Sequence, residues 1–126
     1  MSTLEERLRR HVQALAGEIG ERHVWRPQAL RAAADYVRAE LEALGYAVAA
    51  QSYDVRGVRC ENLEVAIPGS GRPGEIVLAG AHYDTVAGSP GADDNASGVA
   101  GLIEIARSLR EVLPQRTLKL VAFANE

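Results

Sequence analysis

Two amphipathic helices are predicted in the amino-terminal part of the chain. From Leu4 onward, apolar side chains recur every three or four positions, and Gly20 then ends the pattern. A second helix is predicted to carry Pro27 in its first turn and to stop at Gly45, since glycine readily takes the left-handed conformation that follows a helix. The predicted buried stripes are Leu8, Val12, Leu15 and Ile19 in the first helix and Leu30, Ala33, Val37, Leu41 and Leu44 in the second.

The next stretch predicts a pair of antiparallel strands at the edge of a sheet. Residues 46–55 are extended in character, and in residues 61–67 Leu63, Val65 and Ile67 alternate with side chains that point the other way. Arg56 and Gly57 lie between the two segments and predict a tight turn. Residues 69–74 are rich in glycine and predict a flexible connection.

The carboxyl-terminal part of the chain predicts a βαβ unit. Residues 76–81 are uninterruptedly apolar, as in a strand that is covered on both faces. A loop over residues 82–94 follows, then a helix from Val99 to Leu113 that Pro114 stops, and then a second apolar strand over residues 117–123. Helices before and between such strands predict the α/β class, as a three-layer α/β/α sandwich with a mixed sheet.

Composition narrows the classes of protein that fit this fold. The 126 residues have a formal net charge of -3, so the chain lacks the basic surface that binding to nucleic acid needs. The lone cysteine, Cys60, cannot form a disulfide within the chain. With no signal peptide or apolar run of membrane-spanning length, we expect a cytoplasmic protein without a membrane partner. We expect His11 and His23 to lie on the surface, which leaves one histidine for chemistry.

Metal-binding residue types follow both apolar strands. His82 and Asp84 follow the first strand, Asp93 and Asp94 lie further along the same loop, and Glu126 follows the second strand. Because ligands of open α/β sheets bind at the carboxyl ends of the strands, we expect an imidazole and two or three carboxylates to converge there. Taken singly, these residues predict only a strand-end histidine, a helix N-cap and a solvated glutamate. Together they favour a metal site.

Three segments resemble the zinc-dependent peptidases of family M28, a family of bacterial dizinc aminopeptidases. The segments are residues 80–84, residues 91–98 and residues 121–126, in the order and at the spacing of that family. The resemblance implies that His82 ligates one zinc ion and that Asp94 bridges two. It further implies that Asp84 orients the ring of His82, that Glu126 is the general base, and that the peptide bond between Asp94 and Asn95 is cis.

The function that the resemblance implies is a zinc-dependent exopeptidase, an aminopeptidase that removes amino-terminal residues from peptide substrates. Zinc activates a water molecule, and a glutamate takes its proton. Glutaminyl cyclase, a zinc acyltransferase of the same fold, is one alternative, and a peptidase-like interaction domain without catalysis is another.

The family pattern also continues past Glu126. Of five expected zinc ligands the chain supplies His82 and Asp94, so the sequence predicts the amino-terminal part of an M28-like catalytic domain over residues 1–126, truncated after the central strands. We expect weak or absent zinc binding by this chain alone, and no activity. We also expect a homo-oligomer through the exposed edge of the sheet.

Overall fold

The amino-terminal helical segment begins at a capping box. In the computed structural model, which describes residues 1–125, helix α1 (Leu4–Val12) follows Thr3. The Thr3 hydroxyl accepts the N–H of Glu6, and the Glu6 carboxylate accepts the N–H of Thr3. The helix continues as a wider π-helical stretch, Gln13–Ile19. It ends at Gly20, whose φ of 79° suits glycine, so the first predicted helix is confirmed.

The second predicted helix is confirmed as α2 (Pro27–Ala43). Pro27 occupies its first turn, where the missing N–H costs no hydrogen bond. Gly45 follows with a φ of 97°, and Leu44, the last residue of the predicted stripe, is half-buried. The rest of the stripe is buried against the core, namely Leu30, Ala33, Val37 and Leu41.

Within residues 1–125, four strands form one mixed sheet, which confirms the α/β class. The strands are β1 (Ala49–Val55), β2 (Val58–Ile67), β3 (Arg72–His82) and β4 (Arg116–Phe123). Their order in the sheet is β1-β2-β4-β3. The β1/β2 and β2/β4 pairs are antiparallel, whereas β3 and β4 are parallel and joined through helix α3 (Ser97–Ser108). This last connection is the predicted βαβ unit.

Two loop predictions have different outcomes. The tight turn between β1 and β2 is confirmed, since Arg56 and Gly57 both have positive φ, 52° and 81°, as a two-residue hairpin turn requires. The flexible connection over residues 69–74 is wrong in its second half, because β3 already begins at Arg72. The Arg72 N–H donates to the carbonyl of Gln115, which ties the segment to the residue before β4.

The core lies on one face of the sheet. Leu63 and Val65 of β2 pair with Ala122 and Leu120 of β4, so these four side chains lie on the same face, and helical residues such as Leu15, Val37 and Ile103 belong to the same core. The core side chains contributed by the middle of the sheet are Leu63, Val65, Ala81, Leu120 and Ala122.

The expectation that residues 76–81 are covered on both faces is wrong. Ile76, Val77 and Leu78 are 54%, 47% and 55% exposed. The reason is that β3 is the last strand in the sheet order of the described residues. Its apolar run therefore marks a strand with a free edge and one uncovered face.

Helix α3 is shorter than the pattern predicts. It ends at Ser108, and Leu113 is 86% exposed. The buried stripe of the helix stops at Ala106, so packing no longer offsets the cost of ordering the chain beyond it.

The two amino-terminal histidines are buried, so the expectation of surface positions is wrong. His11 is 0% exposed and contacts the hydroxyl of Tyr36 through Nδ1 at 2.7 Å. His23 is 7% exposed, and its Nε2 contacts Glu21 at 2.7 Å. Nδ1 of His11 and Nε2 of His23 thus have polar partners, as most buried polar atoms do, whereas Nε2 of His11 makes no hydrogen bond within the described residues and lies 3.5 Å from Glu104. Over residues 1–125, none of the helices is long and apolar enough to cross a membrane.

Candidate metal centre

The last residue of β3 and the loop after it place an imidazole between two carboxylates. His82 Nδ1 lies 3.2 Å from Asp84 Oδ1 and 3.1 Å from the Asp84 carbonyl oxygen. On the other side of the ring, Nε2 lies 3.0 Å from Asp94 Oδ1. Three of the predicted site residues, His82, Asp84 and Asp94, are therefore brought together.

The three side chains differ in their exposure. Those of His82 and Asp84 are 16% and 9% exposed, whereas that of Asp94 is 68% exposed. Asp84 is thus nearly enclosed by protein, while Asp94 still presents carboxylate oxygen to solvent. The roles that the resemblance implies for the two aspartates stay a prediction.

The backbone before α3 places Asp94 rather than Asp93 against His82. The peptide bond between Asp94 and Asn95 is cis, as the resemblance predicts, and both residues depart from helical angles. Asn95 caps the start of α3, since its Oδ1 accepts the N–H of Gly98. A Cβ on Gly91 would lie 2.6 Å from the Asp94 carbonyl oxygen, so this turn requires glycine.

A buried arginine donates hydrogen bonds to both ends of the loop over residues 82–94, called the site loop below. Arg22 is 0% exposed, and its guanidinium donates to the carbonyls of Tyr83, Pro90 and Gly91. It also donates to the carbonyls of Leu15 and Gly20, which lie in the amino-terminal segment before Arg22. Burial lowers the pKa of Arg22, and the nearby carboxylate of Asp84 acts in the opposite direction. Sequence reasoning missed this residue, because no local pattern marks an arginine for burial.

A neighbouring acid fixes the tip of the same loop. One carboxylate oxygen of Glu21 accepts the N–H of Gly88 at 2.8 Å and also contacts His23 Nε2. Those two hydrogen bonds lower the pKa of Glu21, and the one from His23 has the larger effect. The Thr85 N–H donates to the Arg22 carbonyl. The segment after Gly20 and the site loop are thus tied together at several points.

An open cleft of about 280 Å³ lies over these residues. His82, Asp84 and Asp94 line it, and so does Asn125 at the end of the described chain. Ala124 donates its N–H to the side chain of Asn62, which fixes this end of β4. Glu126, the predicted general base, lies outside the described residues. The rest of the lining includes His23, Val24, Trp25, Thr85, Val86 and Ala87.

The donor set suits zinc. If Nδ1 carries the proton that Asp84 accepts, the lone pair of His82 Nε2 faces a carboxylate oxygen of Asp94. Two electron-pair donors in contact need a cation or a proton between them. His82 Nε2 and Asp94 Oδ1 are 3.0 Å apart. Two zinc bonds of about 2.0–2.2 Å can span roughly 4 Å, so both atoms can reach the same zinc ion. Among the described residues, no group of three or more histidine, cysteine, aspartate or glutamate side chains is arranged to hold a metal.

A sequence comparison decides the family. The model of Peptidase family M28 matches residues 62–126, which contain His82, Asp84 and Asp94. The chain belongs to peptidase family M28. This family assignment confirms the resemblance that the three segments predict.

Relatives of this M28 chain are longer than the chain itself. Protein YfbL of Escherichia coli K12 is 35% identical over 96% of the chain, which corresponds to 39% of YfbL. Aminopeptidase YwaD of Bacillus subtilis is 44% identical over 52 residues, which are 41% of the chain and 11% of YwaD. The chain therefore spans well under half the length of both relatives.

Solved structures confirm the fold of the M28 chain. The zinc aminopeptidase BSAP of Bacillus subtilis superposes with a TM-score of 0.83 at 13% identity, over 96% of the chain and 61% of BSAP. The glutaminyl cyclase of Porphyromonas gingivalis gives a TM-score of 0.74 at 27% identity, over 96% of the chain and 45% of the cyclase. A peptidase and a cyclase thus share this α/β architecture.

Proposed function

We propose that this chain provides the zinc-binding edge of an aminopeptidase that hydrolyses amino-terminal residues from peptides. The observation that carries the proposal is the contact series from Asp84 through His82 to Asp94. Membership of a peptidase family and the likeness to YwaD favour peptide hydrolysis over other zinc chemistry. The substrate class is a peptide with a free amino terminus.

Each residue of the series has a separate task. Asp84 accepts the Nδ1 proton of His82, which fixes the tautomer and leaves Nε2 as the metal ligand. Asp94 supplies carboxylate oxygen on the exposed side. Zinc, when bound, supplies positive charge that polarises an amide carbonyl and makes water a better nucleophile. Glu126 takes the proton from that water in this proposal, on the strength of the family resemblance.

The described residues supply two metal donors, whereas a catalytic zinc usually has three protein ligands. We therefore expect the chain by itself to bind zinc weakly, and we expect its turnover to be very low or absent. The whole site, with two zinc ions, needs ligands in addition to His82 and Asp94.

Glutaminyl cyclase chemistry is the second candidate. It is favoured by the 27% identity to the Porphyromonas gingivalis enzyme over nearly all of this chain. Both reactions attack a carbonyl near a peptide amino terminus, so the same zinc and the same orienting residues serve either. The nucleophile and the bond that breaks differ. In the peptidase, water attacks the backbone carbonyl and the peptide bond breaks; in the cyclase, the substrate's own amino group attacks the glutamine side-chain carbonyl and ammonia leaves.

Product analysis separates these candidates. The zinc-saturated chain is incubated at high concentration with a peptide that starts with leucine and with one that starts with glutamine, and masses are measured over days. Removal of the first residue supports the peptidase, and loss of ammonia from the glutamine peptide alone supports the cyclase. The His82→Ala variant, which lacks a proposed zinc ligand, is the negative control. Unchanged peptides together with no zinc binding would contradict both enzymes and favour a non-catalytic domain.

A further inference from the structure

A groove between helices α1 and α3 is apolar and open to solvent. Its volume is about 650 Å³, within the range of roughly 300–1,000 Å³ that is usual for small-molecule sites. Leu4 and Leu8 line it from α1, and Gly101 and Ile105 line it from α3. Leu4 and Ile105 are 54% and 44% exposed. Among residues 1–125, the groove and the cleft at the candidate metal centre share no lining residue.

Gly101 keeps the groove open in the middle of α3. Glycine is unfavourable inside a helix relative to alanine. A Cβ at this position would meet no atom within 4 Å apart from its chain neighbours and the backbone of its own helix. Packing within the described chain therefore does not require glycine here, whereas a Cβ on Gly98 would collide with the side chain of Asn95. The missing side chain at Gly101 leaves space that a ligand can fill.

Arginines give the groove a positive charge. The side chain of Glu104 is 6% exposed and accepts a hydrogen bond from Arg7 Nε at 2.7 Å. It also accepts one from Arg107 Nε at 3.4 Å, so one carboxylate joins an arginine of each helix. Arg110 lines the groove as well. Three arginines and one glutamate leave an excess of positive charge, which favours an anionic ligand.

The two arginines at the carboxyl end of α3 also face a second space. Arg107, Ser108 and Arg110 line both the groove and a neighbouring, more polar cavity of about 430 Å³. Over residues 1–125, the side-chain hydrogen bonds of Arg107 and Arg110 engage Nε alone. Their Nη groups therefore remain as donors for a carboxylate, which arginine binds well. An apolar groove that meets a polar cavity at two arginines suits a molecule with an apolar tail and an anionic head.

We propose that this α1/α3 groove binds a carboxylate with an unbranched apolar tail, a ligand of the fatty-acid class. The tail packs against Leu4, Leu8 and Ile105 and fills the space at Gly101. The carboxylate pairs with the guanidinium groups at the junction of the two cavities. Burial of methylene groups supplies most of the affinity, and the arginines select the sign of the head group. Neither zinc nor the proposed function is needed for this binding.

Three probes test the class of ligand by calorimetry, all below the concentrations at which they form micelles. They are sodium decanoate, sodium hexanoate and decyltrimethylammonium chloride. We expect decanoate to bind at least about tenfold more tightly than hexanoate, because its four additional methylenes lie in the groove. We expect a similar preference over the cation, which has the same tail and the opposite charge. Equal affinities for decanoate and the cation would overturn the proposal.

Variants test the two parts of the site. Gly101→Leu fills the groove and should weaken decanoate binding by about tenfold or more, without a lower melting temperature, since its Cβ has open space. Arg110→Gln should weaken the binding of decanoate but not that of the cation. Arg31→Gln is the matched control, because Arg31 lies on α2 with a 70% exposed side chain. Unchanged decanoate affinity in both groove variants would overturn the proposal.

Amide signals of the ¹⁵N-labelled chain locate the ligand. Decanoate should shift the signals of Leu8, Gly101 and Ile105 and leave those of Val77 and Leu78 in place. Shifts confined to β3 would assign decanoate to the apolar surface of that strand and overturn the groove. Groove signals that change with protein concentration in the absence of decanoate would show that a second copy of the chain occupies the groove, and this result would overturn the proposal as well.

Discussion

At the scale of single residues, the proposed metal centre includes an aspartate, Asp84, that orients a ligand without itself binding metal. Asp84 is nearly enclosed, and both its carboxylate and its carbonyl oxygen lie against His82 Nδ1. Carboxylates in this position fix the tautomer of a ligating imidazole and raise its basicity. The affinity for zinc should therefore respond to Asp84 even though His82 Nε2 is the proposed ligand atom.

Substitution of Asp84→Asn tests this dependence. We expect roughly a tenfold to hundredfold loss of zinc affinity, because the amide holds the ring less firmly and lacks the negative charge. Isothermal titration calorimetry measures the effect. Asp93→Asn is the matched control, since Asp93 is exposed and belongs to the same loop but not to the His82 contacts. Equal affinities of wild type and Asp84→Asn would show that the carboxylate does not position the ring.

A second residue links stability to pH. Burial lowers the pKa of His11 from its ordinary value of 6.5, although Glu40 and Glu104 oppose the shift and Arg10 adds to it. The unfolded chain then binds more protons than the folded one below about pH 6.5. Stability contributed by the neutral ring is complete above that pH and falls as the pH drops towards the folded pKa.

Urea unfolding at pH 7.5, 6.5 and 5.5 measures this linkage. We expect the free energy of unfolding to fall between the two lower values, and the fall to be smaller in His11→Gln, which keeps a polar partner for Tyr36 but does not titrate. The comparison uses the change in the free energy of unfolding with pH, not its absolute value, because the substitution itself also reduces packing. An unchanged slope in His11→Gln would assign the pH dependence to other groups.

At the scale of elements, the site loop is held by the chain before α2 rather than by its own sequence. Arg22 contacts carbonyls at both ends of the loop, and its own backbone pairs with Thr85. The loop positions Asp84 and leads into Asp94. Removal of the guanidinium leaves several buried carbonyls without donors, each at a cost of about 1–3 kcal/mol.

Arg22→Met keeps much of the side-chain volume and removes the donors. We expect a loss of about 3 kcal/mol or more in the free energy of unfolding, together with faster amide hydrogen exchange in the loop. The matched control is Arg31→Met, because Arg31 lies on α2 with a 70% exposed side chain. Its effect should stay within about 0.5 kcal/mol. Similar losses of unfolding free energy in both variants would mean that the hydrogen bonds of Arg22 do not stabilise the site loop.

Particular elements show how far the sequence could lead. The helices, the hairpin turn and the βαβ unit were predictable, because periodicity and glycine positions are local signals. That His82, Asp84 and Asp94 lie together was predictable through their motifs. The burial of His11, His23 and Arg22 was not, since it depends on partners such as Tyr36 and Thr85 that are distant along the chain. The exposure of β3 was missed because an apolar run indicates that a strand is hydrophobic, but not whether other elements pack on both of its faces.

At the scale of the whole molecule, β3 has an unpaired edge and an uncovered face among residues 1–125, and together they form an apolar surface. Ile76, Val77 and Leu78 are each about half exposed, and unpaired strand edges template association with other chains. A homo-oligomer through this edge stays a prediction. We expect light scattering to detect dimers or larger species at micromolar concentration. Leu78→Lys should shift the chain to monomer, whereas Leu113→Lys, a charge on an exposed leucine outside the strand, should not.

The most direct test of the account is a zinc titration of the chain and three single variants by calorimetry. The central claim is that His82 and Asp94 are the metal ligands within the described residues. The account predicts weak but measurable binding that is lost in His82→Ala and Asp94→Ala and retained in Asp93→Ala. Equal binding by wild type and both ligand variants, or loss in Asp93→Ala alone, would contradict it.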